Sequence, residues 1–279
     1  MERTFLKTVL FLAPAYIPVI IIGGFFGWMG LVIGFVISVI ICILILRYLD
    51  KIVFWLYRAK PALPEESSGM REILWKLSHT AGIPAPVIFT TELPLPGSFI
   101  IGKKPDKTVL IFPARLRSLL GNDELEAVLS HNIVQIDRNI RLKTLVVILT
   151  GLMTMAVSVV RWGTVFTGFG DYSDPAPKLF GLFTMGLAAP PAAAIINSVT
   201  KKDHDAEAAA LCKKPYALIS AIERLESNNV AGYSSLGFVC LVDPEREYFF
   251  EYLFNIHPPR ERRIKKLTEK GENNDRITS

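Results

Sequence analysis

Residues 124–143 read ELEAVLSHNIVQIDRNIRLK. A helix is expected to begin just ahead of this stretch: Asn122 is a good N-cap, and Asp123 and Glu124 suit the positive end of the helix dipole. It is expected to run through His131 and Gln135 towards the apolar run that follows. These two residues are four apart, so they share one helix face. Two histidines at this spacing, with a glutamate directly after the first, make a zinc site: the imidazoles hold the metal and the carboxylate activates its water. Here Asn132 stands at the glutamate position and Gln135 at the second histidine position. Asn132 has no proton-accepting carboxylate, and losing a positioned acid–base group costs about 10²–10⁴-fold in rate. Gln135 offers a neutral amide oxygen, a poor zinc ligand beside an imidazole.

Around this stretch the chain of 279 residues is unusually apolar, with 51% hydrophobic residues and a mean hydropathy of +0.36. The apolar residues come in blocks. Thr8 to Leu46 contains no charged residue over 39 positions, enough for two membrane helices of about 20 residues each. Gly23, Gly24, Gly27 and Gly30 offer the turn between them, and Trp28 suits a membrane interface. A cleaved signal peptide has a shorter apolar core, of roughly 7–15 residues, so a retained hairpin is expected. Thr144–Val160 and Leu179–Thr200 form two further runs of 17 and 22 residues, the second interrupted by Pro190 and Pro191. No charge lies inside any of the four, which argues against an ion-coupled transporter.

Basic residues set the orientation. Arg3 and Lys7, Arg47 to Lys60, Arg141 and Lys143, and Lys201 and Lys202 all fall on one side if there are four spans. The loop 161–178 balances two basic residues with Asp171 and Asp174. Both termini and the main polar segments are therefore expected in the cytoplasm of a multi-pass cell-membrane protein. The net charge of +5 fits attraction to anionic lipid rather than to nucleic acid. Cys42, Cys212 and Cys240 make neither a disulfide framework nor a C-x-x-C pair, as in a reducing compartment.

The expected organisation is a first transmembrane hairpin over 1–47, with spans near 5–24 and 27–47. A cytoplasmic α+β domain follows over 48–143, then a second hairpin over 144–200, with spans near 144–160 and 179–200. The cytoplasmic domain resumes over 201–270, before a flexible tail at 271–279. Within the domain, MREILWKLSHTAG reads as an amphipathic helix with Ile73, Leu74 and Leu77 on one side and Gly82 to stop it. Short strands are expected near 86–90, 98–102 and 108–112, the last two joined by GKKPDK.

Several motifs together resemble the HtpX family of membrane zinc metallopeptidases, relatives of the CAAX prenyl proteases. PGSFIIGKKPDKTVLIF is similar to the family's Asn-Ala-Phe-Ala-x-Gly stretch, keeping Phe99 and Gly102 but not the Asn. ELEAVLSHNIVQI is similar to its site helix, and HPPRERRIKKL, with His257, to its ending. The resemblance implies a mainly α membrane protein with four transmembrane helices in two hairpins and a zincin-like domain. It implies a Glu-x-x-x-Asp helix carrying the third zinc ligand, and here DHDAEAAAL places Asp203 and Glu207 at those positions. Only His131 of the five site positions is unchanged. His204 and Asp205 are read as solvated polar residues.

The expectation is therefore a pseudopeptidase: no catalytic residue, His131, Gln135 and Asp203 as a degenerate metal site, and no cofactor. Its partners would be the lipid bilayer and a polypeptide or membrane protein, held by strand addition near 108–112 or as an accessory or assembly subunit. The alternative is an active zinc metalloendopeptidase in membrane-protein quality control.

Overall fold

The computed structural model describes residue 20 and residues 23–137, 139–148, 204–228, 240–242 and 260–278. Helix α1 (Gly27–Arg47) has 21 residues and is apolar on every face. Ile33, Phe35 and Ile43 are each more than half exposed, while Gly34 and Ser38 are buried. Among the described residues it is the one helix long and apolar enough to cross a membrane. The turn before it lies where the glycines predict: Gly27 has φ +75°, and a Cβ on Gly30 would strike the Gly23 carbonyl. Most of the spans near 5–24 and 144–160, and all of that near 179–200, lie outside the described residues.

Helix α2 (Leu49–Leu56) follows after a break at Tyr48, then strand β1 (Lys60–Pro61) and helix α3 (Pro64–Ala81). Proline sits in the first turn of α3, where its missing N–H costs nothing, and Gly82 closes the helix in the left-handed region at φ +67°. Strands β2 (Val87–Thr91), β3 (Phe99–Lys104) and β4 (Lys107–Pro113) fall on the three predicted stretches. The sheet order is β1-β2-β4-β3, with β2 parallel to β4 and the other pairs antiparallel.

Both faces of this sheet are covered, so its strands read as continuous apolar runs rather than as alternation. Ile88, Ile100, Leu110 and Phe112 face Met70, Leu74 and Leu77 of α3 together with the site helix. Phe99, Ile101 and Ile111 face Leu49, Val53 and Tyr57, together with Leu142 to Ile148 of a helical segment at 140–148. Each such side chain, fully buried, contributes roughly 1.5–3 kcal/mol. The second cluster ties the sheet to the ends of two apolar runs, and the Tyr57 hydroxyl donates to the Val147 carbonyl at 2.9 Å.

The short helix α4 (Leu116–Leu119) leads to the site helix α5 (Asn122–Val134). Two expectations about α5 are corrected. Its N-cap is Gly121, not Asn122, because the Glu124 carboxylate accepts the Gly121 N–H at 2.7 Å and draws the helix start back by one residue. It also does not run on into the third apolar run. Gln135 is its C-cap, Asp137 accepts the Asn139 N–H in a side-chain turn, and the Lys143 ammonium caps the Gln135 carbonyl at 2.6 Å.

Helices α6 (His204–Cys212), α7 (Pro215–Ser227) and α8 (Arg260–Thr278) complete the domain around α5. The stretch expected as a flexible tail, 271–279, is helical through Thr278. No proline follows Pro259 to stop α8, and its buried side holds Leu267 and Gly271, the latter seated on the Tyr216 ring.

Candidate metallopeptidase-type site

The end of α5 is buried side chain by side chain: Ser130, His131, Asn132 and Gln135 are all inaccessible to solvent or nearly so. Helix α6 approaches closely because it presents alanines. The Ser130 hydroxyl donates to the Ala208 carbonyl at 3.1 Å, and Ala208 and Ala209 are buried in the contact. This packing turns Asp205 towards His131, with the carboxylate Oδ1 3.6 Å from the imidazole Nε2. The His204 ring stands edge-on to the His131 ring, at 6.3 Å between centroids.

Arg263 of α8 closes the cluster. Its Nε and Nη2 donate to the two Asp205 oxygens at 2.6 and 2.8 Å, and its Nη1 donates to the Leu241 carbonyl at 2.9 Å. On the other flank the Gln135 amide nitrogen lies 3.4 Å from His131 Nδ1, a long contact. The Asn132 amide donates to the Ser98 hydroxyl at 2.6 Å, and its buried carbonyl oxygen has no hydrogen-bond partner among the described residues.

Of the residues singled out from the sequence, His131, Asn132 and Gln135 are brought together. Asp203 and His257 lie outside the described residues. Glu207 is exposed on α6, two residues on from Asp205 and turned away from the cluster. Phe99 packs edge-on against Tyr57 at 5.4 Å between centroids, and Gly102 lies on β3; both serve the sheet. The reading of His204 and Asp205 as solvated is corrected, because α6 buries that side against α5. Sequence reasoning passed over Ser98 and Arg263. Arg263 had a signal, since it is the arginine of the HPPRERRI motif.

Strand addition near 108–112 is also corrected: β4 is an inner strand with both edges taken by β2 and β3. At the sheet edge, the Gly102 N–H donates to the Thr144 hydroxyl at 2.8 Å, and that hydroxyl approaches the Gly102 carbonyl at 3.1 Å.

Taken by themselves, the described side chains at this helix end do not make a zinc ligand set. Among the described residues no three His, Cys, Asp or Glu are grouped to hold a metal. Among the described residues Asp205 is the carboxylate that meets His131, and both its oxygens accept hydrogen bonds from the Arg263 guanidinium. Asn132 and Gln135 supply neutral amides, where tetrahedral zinc takes imidazole, thiolate or carboxylate.

An apolar helix long enough to cross a membrane leads into a covered sheet, and a buried His-x-x-x-Gln helix end lies behind it, the arrangement expected of a membrane-linked protein related to the metallopeptidases. The chain belongs to peptidase family M48, whose pattern matches residues 64–270, and within it to the HtpX-like proteins. It is 31% identical to the "Protease HtpX homolog" of Pyrococcus abyssi over 248 residues, 85% of this chain and 86% of that one. It is 28% identical to the protein of the same name from Desulfatibacillum aliphaticivorans over 274 residues, 94% of this chain and 88% of that one. With the one from Persephonella marina the identity is 27% over 278 residues, 95% and 96% of the two chains. No solved structure matches.

Proposed function

We propose that this HtpX-like protein keeps the M48 architecture and has lost zinc-dependent peptide hydrolysis, and that it serves as a binding, accessory or assembly subunit for membrane proteins. The observation that carries this reading is Asn132. The position after His131 holds a buried amide bonded to Ser98, where hydrolysis needs a base. Gln135 and the Arg263-bound Asp205 add to it by withholding ligands. The rest of the proposal is a four-span protein with its domain and termini in the cytoplasm, supported by α1 and by the distribution of basic residues.

The second reading is an active membrane zinc metalloendopeptidase in protein quality control. The names of the relatives, all called proteases, favour it over the first. One experiment separates the two. Full-length protein is purified in detergent, its zinc is measured by elemental analysis, and cleavage of an unfolded substrate is followed with and without added zinc. The expected result is far less than stoichiometric zinc and no cleavage. Zinc-dependent cleavage that disappears in His131→Ala would establish the second reading instead.

A further inference from the structure

We propose that the turn between β3 and β4, together with the outer side of α2, is a docking surface for anionic phospholipid headgroups and rests this side of the domain on the bilayer that α1 enters. The inference rests on α1 as a membrane span and is independent of whether the domain hydrolyses peptides. Helix α2 buries Leu49, Val53 and, just past its end, Tyr57, four apart, against the sheet. The opposite side carries Tyr48, Lys51 and Trp55 at helical spacing, with Tyr48 41% and Trp55 64% exposed. The Lys51 ammonium lies 5.4 Å from the centre of the Tyr48 ring. Exposed aromatics grouped in this way mark an interaction surface, and the headgroup zone of a bilayer takes tyrosine, tryptophan and lysine together. The β3–β4 turn sits beside the end of α1. The Lys103 ammonium donates to the carbonyl of Arg47, the last residue of α1, at 2.8 Å and meets Asp50 at 2.9 Å. Arg141 donates to the Lys103 carbonyl at 3.1 Å, so the segment leading to the next apolar run is tied to the same place. Among the described residues six cations gather around it, Arg47, Lys51, Lys103, Lys104, Lys107 and Arg141, against two carboxylates, Asp50 and Asp106. Asp50 is matched by Lys103, which leaves Lys104 and Lys107 exposed at the tip of the turn with only Asp106 between them. Cations held within a Debye length of an anionic leaflet are attracted to it. The occupant is lipid rather than protein because the surface is continuous with α1, which carries apolar side chains on every face straight into it.

The test uses full-length protein in lipid nanodiscs of phosphatidylcholine and phosphatidylglycerol, either of them brominated high in its acyl chains to quench tryptophan. Two variants each keep one of the four tryptophans, Trp55 or Trp28. Trp55 emission is expected to fall by at least about one third, and competition between the two lipids to show a preference of about three- to tenfold for phosphatidylglycerol. Lys51→Gln/Lys104→Gln/Lys107→Gln is expected to bring that preference below about twofold. Arg71→Gln/Arg262→Gln/Lys265→Gln removes as many exposed charges from α3 and α8, away from this side of the sheet, and is expected to keep it. Trp28 quenched with Trp55 untouched overturns the docking and leaves the span standing; if Trp55 is then also shielded from aqueous acrylamide, a protein covers α2 instead. Quenching of neither overturns the span, and the docking with it. A preference that is absent, or that falls equally in both lysine and arginine variants, overturns the headgroup site. Should the single-tryptophan proteins not accumulate, native mass spectrometry counts the phosphatidylglycerol retained by the wild type and the two charge variants: loss confined to the first variant supports the site, and equal retention by all three overturns it.

Discussion

Gly102 shows how a motif residue can be explained by the space around it. A Cβ there would stand 2.8 Å from the Lys107 carbonyl oxygen and 2.9 Å from Thr108 Cγ2, across an irregular pairing of β3 with β4. On the outer side its N–H and carbonyl are met by the Thr144 hydroxyl. The obstacles are largely backbone, so a methyl group cannot be accommodated by a rotamer change. Gly102→Ala is expected to cost about 1–3 kcal/mol, the usual penalty for overpacking a well-packed site. Chemical denaturation monitored on the domain checks this, and an unchanged midpoint would show that the strand has room the distances deny.

Between elements, the link most exposed to pH is that of α5 with the start of α7. The Lys214 ammonium bridges Asp123 and Glu126, and Lys76 of α3 reaches Glu126 at 3.3 Å. Burial acts to raise the Glu126 pKa, but hydrogen bonds and charge from Lys214, then Lys76, outweigh it and hold the carboxyl below its ordinary range. Lys214 is raised by the same two carboxylates, Asp123 first. A depressed folded pKa means that Glu126 contributes fully above the ordinary carboxylate range. That contribution is lost as pH falls through the folded value. The Lys214 contribution is complete at neutral pH and is lost only on the alkaline side. Lys214→Met is therefore expected to flatten the acid limb: from about pH 6 to about pH 3 the variant loses less stability than the wild type. Thermal midpoints across that window measure it, and parallel curves would dismiss the pair as a pH-dependent element. Asp123 is mostly exposed and adds little.

At the scale of the molecule, α2 and the helical segment at 140–148 cover the same sheet face, and Tyr57 is bonded to Val147 across 90 positions of sequence. The described ends of two apolar runs, that closing at residue 47 and residues 144–148 of the next, thus meet the domain on one side of its sheet, as the proposed topology requires. In the proposed topology, a reporter fused after Ser279 reads as cytoplasmic and one inserted in the loop 161–178 reads on the opposite side. Reversed readings would overturn the orientation, and equal readings the count of four spans.

Much of this protein was legible as a string. Composition marked the apolar blocks, and α1 lies in the first of them. Residue type and punctuation placed three strands to within about two residues and stopped α3 at Gly82. Spacing alone put His131 and Gln135 on one face. Each of these is a local property, carried by neighbours within a turn or a strand, and so each survives without the fold. What needed the tertiary structure was every choice of partner. The sheet order set β4 inside and left β3 at an edge. Small residues on α6 decided which side of it would be buried, and so carried Asp205 inward when its sequence neighbourhood looked solvated. Arg263, 58 residues away, is one more cation in a basic run until α8 docks and selects it. Periodicity names the faces of a helix, but which face loses its water, and which charge must then be matched, is decided by segments far apart in the chain.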